Sequence, residues 1–132
     1  MTNKLKEWIY GLDSRPRSFY EQGMNTQYLK ALPEDWQSIA SVYSALGDET
    51  RQKILLLFEP GERIGRKALV ELLPLSPTAV AHHVTTLVRA GLLRPHKVGR
   101  DVFYTMNHEA LMQALEVVRN YVAELRVQEV AS

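Results

Sequence analysis

The 132-residue chain contains no cysteine. That absence excludes disulfides, thiolate zinc sites, iron–sulfur clusters and cysteine nucleophiles together, so any metal would have to rest on His, Asp or Glu. Long apolar runs are missing too. Trp8-Ile9-Tyr10 is cut short by Gly11 and Asp13, which leaves neither a secretory core nor anything near the roughly 18 apolar residues of a membrane helix. The expected compartment is the cytoplasm, without a membrane partner. A strong charge of either sign is lacking, the net being +1. No Ser-His-Asp order, paired carboxylates or phosphate loop stands out, so an enzyme is not expected.

What is present is ordinary for a globular protein, 45% hydrophobic and 23% charged residues in a length that suits one core. The net charge divides unevenly along the chain. Residues 76–107 hold Arg89, Arg94, Lys97 and Arg100 against Asp101 alone, with His82, His83 and His96 added, whereas 108–132 set Arg119 and Arg126 against four glutamates. A basic surface beside an acidic remainder suits a polyanion partner, although charge alone equally describes a solvated face.

Residues 1–32 read as an N-terminal extension. Leu5, Trp8, Ile9 and Leu12 have helical spacing before a break at 13–17. A domain over 33–128 and a tail over 129–132 follow. Glu34 and Asp35 open a helix whose apolar set is Trp36, Ile39, Ala40, Tyr43 and Leu46, ended by Gly47. Asp48 is placed to cap a second helix through Phe58, with Ile54, Leu55, Leu57 and Phe58 facing inward and Pro60-Gly61 as its stop. A short third helix over 66–73 exposes Arg66, Lys67 and Glu71 and buries Ala68, Leu69 and Leu72.

Ser76 then caps a fourth helix with Pro77 in its first turn, where the missing N–H costs nothing. That helix runs over 76–90, and Gly91-Leu92 has the chemistry of a left-handed C-cap with its hydrophobic contact. Strand-like stretches at 92–97 and 102–106 flank Val98-Gly99-Arg100-Asp101, giving a two-stranded hairpin. Asn107 caps a last helix over 108–128, where Leu111, Leu115, Val118, Val122 and Leu125 alternate steps of four and three like a coiled-coil seam. The fold class is mainly α with a small β-hairpin wing over 92–106, a winged helix-turn-helix.

At about 100° per residue, Val80, Val84, Leu87 and Val88 of the fourth helix share its inner side, with His83 at the edge. Thr78, His82, Thr85, Thr86 and Arg89 share the outer side. These are short hydroxyls, an imidazole and a guanidinium, without a single acid, which suits hydrogen bonding to base edges and phosphates. Small Ala79 and Ala81 let backbone approach a groove, or serve simply as helix formers. Adjacent His82 and His83 diverge too far to chelate one metal. Arg94, His96, Lys97 and Arg100 surround the hairpin tip, where a wing reaches a phosphate backbone or acts as a charged edge.

Two segments resemble the ArsR/SmtB family of winged helix-turn-helix repressors. Leu46-Gly47-Asp48-Glu49-Thr50-Arg51-Gln52-Lys53-Ile54-Leu55 is similar to the family's L-[GA]-D-x-T-R-x-x-I-L, and LSPTAVAHHVTTLVRAGLLRPHKVGRDVFY over 75–104 to L-S-x-S-x-V-S-x-H-L-x-x-L-x-x-A-G-L-V-x-x-x-x-x-G-R-x-V-Y-Y. The likeness covers about 36–125. It implies DNA contact by Thr78, Ala79, His82 and Thr85, and wing contact by Lys97 and Arg100. Thr78 and Ala81 replace common serines, and Pro77 a common polar contact. The family's thiolate metal site has no counterpart in Glu62-Arg63-Ile64-Gly65-Arg66, and the last helix offers only His108, Glu109, Glu116 and Glu124, a poor set for zinc. No metal or cofactor is expected.

The expected molecule is a homodimer through its first and last helices, with Trp36, Ile39, Tyr43, Leu111, Leu115, Val118, Val122 and Leu125 at the interface. It would repress transcription by binding a pseudo-palindromic double-stranded operator through Thr78, Ala79, His82, Thr85, Thr86, Arg89, Lys97 and Arg100. The alternative is a winged-helix protein-interaction module without DNA binding. The effector is unknown. Trp8, Tyr10, Phe19, Tyr20 and Tyr28 either wall a pocket near the dimer seam or pack as plain core, and Arg15 and Arg17 could form a basic arm on DNA.

Overall fold

A computed structural model describes residues 26–131. The expected helix at 5–12, the break at 13–17, the aromatics Trp8, Tyr10, Phe19 and Tyr20, and the arm Arg15 and Arg17 lie outside the described residues. The chain divides into two units, 1–33 and 34–132. In the described part of the first, the Leu29 N–H donates to the Thr26 carbonyl at 3.2 Å to close a turn, and Tyr28 is exposed.

The second unit is built, in its described residues, from five helices and three strands. They run α1 Glu34–Leu46, α2 Glu49–Leu56, β1 Ile64–Gly65, α3 Arg66–Leu72, α4 Pro77–Arg89, β2 Leu93–Val98, β3 Asp101–Met106 and α5 His108–Ala131. The strands form one antiparallel sheet in the order β1-β3-β2. This is the winged helix-turn-helix anticipated from the sequence, with β1 added. Only two residues long, β1 pairs Ile64 with Tyr104 and Gly65 with Phe103. The last helix runs to Ala131, so the expected tail at 129–132 is helical through residue 131.

The helix ends are set by local hydrogen bonding. Asp48 accepts the Arg51 N–H at 3.0 Å, and Ser76 accepts the Ala79 N–H at 3.1 Å with Pro77 at the first position of α4. At the other end of α4, Gly91 has φ +79°, its N–H bonds the Val88 carbonyl, and the Leu92 N–H reaches back to Leu87. That 6→1 and 5→2 pair is a Schellman motif, and it turns the chain straight into the wing. Asn107 accepts the Ala110 N–H at 3.3 Å while its amide donates to the Gly91 carbonyl at 2.9 Å.

The core lies where α1, α2, α4 and the root of the wing meet. Ile54, Leu69, Val80, Leu87, Leu92 and Leu93 are its fully buried large side chains, each burial of this size stabilising by about 1.5–3 kcal/mol. The inward stripe of α1 is Ile39, Val42 and Ala45, with Leu46 at its edge. It is turned relative to the expected set, and Ala40 and Tyr43 are exposed. On α3, Leu69 is buried as expected but Leu72 is 61% exposed; Val70 and Leu73 pack against the core instead.

Candidate nucleic-acid interface

Helix α4 is a sharply two-sided element. Val80, Val84 and Leu87 are buried, and Val88 is half-buried behind them. Thr78, His82, Thr85 and Arg89 are exposed on the opposite side, together with Ala81. Two of the expected reading residues are turned partly inward. Ala79 is half-buried, and the half-buried Thr86 donates its hydroxyl to the His82 carbonyl at 3.1 Å. This bond leaves the Thr86 oxygen able to accept but not to donate outward.

The wing extends the same surface. β2 and β3 pair from Leu93 with Met106 to Val98 with Asp101, leaving Gly99-Arg100 as a two-residue loop. Gly99 sits at φ +63° and Arg100 at negative φ, the sign pattern of a type II′ hairpin turn. Lys97 and Arg100 are exposed at this tip. Pro95 is tolerated because β2 is an edge strand. Across the outer face of the wing, His96 Nε2 lies 2.9 Å from the Thr105 hydroxyl. Next to the tip the wing is tied to α3 by Lys67 and Asp101 at 3.4 Å, an exposed pair that contributes little alone.

The seating of α4 depends on a residue to which the sequence motif gave no role. Arg51 of α2 is half-buried. Its Nε donates to the Ala45 carbonyl at 2.7 Å and its Nη2 to Ser44 at 3.2 Å, while Nη1 lies 3.4 Å from His83 Nδ1. A guanidinium has donors only, so in this contact Nδ1 accepts and the ring proton belongs on Nε2. One side chain thus joins the end of α1, the start of α2 and the edge of α4. Asp48 completes the cluster. The Arg51 backbone N–H holds its carboxyl below the ordinary carboxylate range; desolvation opposes this, and the Arg51 charge adds a smaller downward pull.

The expected dimer residues divide into four groups. Ile39 is 3% exposed and belongs to the core of its own protomer, which removes it from any interface. Trp36 and Tyr43 fasten α1 to α5: the Trp36 ring meets Tyr121 edge-on at 5.5 Å, and the Tyr43 hydroxyl donates to the Ala114 carbonyl at 2.6 Å. Leu111 and Val118 are half-buried against the core, whereas Leu115, Val122 and Leu125 are 51%, 46% and 41% exposed. Met112 and Tyr121, which the heptad spacing passed over, are exposed as well. Among the described residues no three His, Asp or Glu side chains converge on a possible metal position.

No family model matches the sequence. Its relatives are informative nonetheless. It is 33% identical over 86 residues to an uncharacterised HTH-type transcriptional regulator of Methanocaldococcus jannaschii, covering 64% of this chain and 96% of that one. It is 27% identical over 82 residues to the transcriptional repressor SdpR of Bacillus subtilis, covering 62% and 90%. Among solved structures, an ArsR-like transcriptional regulator from Rhodococcus sp. RHA1 superposes with a TM-score of 0.66 at 31% identity, over 73% of this chain and 90% of that chain. The chain belongs to the ArsR/SmtB family. As a member of that family it is a DNA-binding transcription regulator, and its relatives are regulators rather than enzymes. No described helix is long and apolar enough to cross a membrane.

Proposed function

We propose that this ArsR/SmtB-family protein is a cytoplasmic, homodimeric repressor that places two copies of α4 in successive major grooves of a pseudo-palindromic operator. The observation that carries the reading is the outer side of α4. Thr78, His82, Thr85 and Arg89 are exposed there without an acidic neighbour on the helix, and the Lys97 and Arg100 tip lies next along the chain. Ala79 and Thr86 complete the reading set at its edges. Repression is supported by the name of the SdpR relative. Dimerisation is supported by the exposed apolar positions of α5, which a second copy would cover. The functional domain is assigned to 33–131, to the end of α5, with 1–32 as an extension, and no effector is assigned.

Anisotropy titrations against the duplex upstream of the protein's own gene test the reading. His82→Ala is expected to weaken operator binding by about 1–3 kcal/mol and relax base preference, whereas Arg100→Ala weakens all duplexes alike. A pure, folded protein that binds no duplex at low salt but retains a protein partner overturns the reading in favour of an interaction module.

A further inference from the structure

Between α4 and the wing runs a groove of about 580 Å³. Three cations from three separate elements face it: Arg66 from α3, Arg89 from α4 and Lys97 from β2. Val102 and Tyr104 of β3 contribute to its wall, and Thr85 lines it from the outer side of α4. Neighbouring Lys67 is paired with Asp101, but Arg66, Arg89 and Lys97 make no ion pair among the described residues. Like charges gathered on an apolar wall raise the potential of the groove, because low-dielectric surroundings focus the field toward the opening.

We propose that this groove seats the phosphodiester backbone of the strand bordering the major groove read by α4, and that Arg66 is a phosphate contact. The inference rests on the DNA-binding reading of α4 and adds an element outside α4 and the wing tip. Arg66 is suited to the role by its surroundings. The buried Tyr104 hydroxyl lies 3.5 Å from its Nη2, a long contact that occupies one edge of the guanidinium. The remaining donors of the planar fork are left for two phosphate oxygens. Thr85 and Arg89 belong to both the groove and the outer side of α4, so a strand in the groove is continuous with bases under the helix. That continuity favours a polymer over a small organic acid.

The test compares wild type, Arg66→Gln, Arg66→Lys and Lys67→Gln in anisotropy titrations on the upstream duplex and on an unrelated duplex, across a salt series. Arg66→Gln is expected to weaken both duplexes about fivefold to tenfold per protomer and to lower the salt slope by about 1.8 for the dimer, one phosphate's share from each chain. Arg66→Lys keeps the slope with intermediate affinity. Lys67→Gln removes the same net charge one residue away and shifts affinity less than about twofold. Both positions are exposed, and circular dichroism checks folding. Equal effects of Arg66→Gln and Lys67→Gln overturn the assignment while leaving the DNA reading intact. Wild type that binds neither duplex overturns both. Benzoate shifting the Arg66 side-chain NMR signal at micromolar concentration, with duplex affinity unchanged in Arg66→Gln, would assign the groove to a small acid and also overturn it.

Discussion

Helices α4 and α5 are both amphipathic, yet they are completed differently. α4 has a side-chain cap at its start, a Schellman motif at its end, and buried partners along its whole apolar side. α5 begins in the same way, with Asn107 as its cap and Ala114 buried beneath α1. From residue 119 to residue 130, however, every side chain is exposed, although Tyr121, Val122, Leu125, Val127 and Val130 are apolar. The α4 side of the molecule is finished inside one chain, while the far half of α5 carries a surface that a single chain leaves uncovered. Isolated monomers seldom leave such a surface open, and in the proposed dimer a second copy would cover it.

Leu87→Ala tests the finished side. Leu87 is fully enclosed, so its truncation is expected to cost about 2–5 kcal/mol in urea unfolding. The loss should persist at protein concentrations low enough to dissociate any dimer. A cost that vanished on dilution would break the distinction between the two helices.

Val122→Glu tests the unfinished side. A charge on the outer stripe of α5 is expected to yield a monomer in sedimentation analysis and to reduce operator affinity on the order of a hundredfold, as linked binding of two half-sites is lost. The melting of the monomer itself should be unchanged. A variant that stays dimeric would move the assembly surface off this stripe.

The smallest effect concerns acid. Because the folded-state pKa of Asp48 is depressed, chiefly by the Arg51 backbone N–H, its stabilisation is present above the ordinary carboxylate pKa of about 4 and is lost as pH falls through the folded value. Asp48→Asn retains a capping oxygen without the titration. Urea midpoints at about pH 7 and about pH 3 should therefore converge more closely in the variant than in wild type.

The parts legible in the sequence are those governed by neighbours in the chain. Asp48, Ser76-Pro77, Gly91-Leu92 and Asn107 act within three to five residues of themselves, and all four behave as their chemistry dictates. The inner side of α4 followed from spacing for the same reason. What escaped depends on distant partners. β1 exists because Ile64 and Gly65 meet a strand some forty residues later, and two residues carry no periodicity of their own. On α1, Trp36 and Tyr43 counted as apolar, so the apparent stripe leaned toward them and away from Val42 and Ala45. Their rings instead serve α5, one through an edge contact and one through a hydroxyl. Arg66 looked like a solvated charge because Arg89 and Lys97 join it only after the wing has folded back.

Asn107 deserves a mechanical reading. Its amide nitrogen holds the Gly91 carbonyl behind α4, its amide oxygen holds the first turn of α5, and its backbone N–H holds the Leu92 carbonyl at 2.8 Å. One residue is therefore the pivot pin shared by the helix that faces outward and the helix that carries the uncovered stripe. In a two-fold assembly, the spacing between the two reading helices is set by the angle at that pin in each chain. A few degrees there, multiplied by the length of α5, decide whether both copies of α4 fall in register with one turn of DNA.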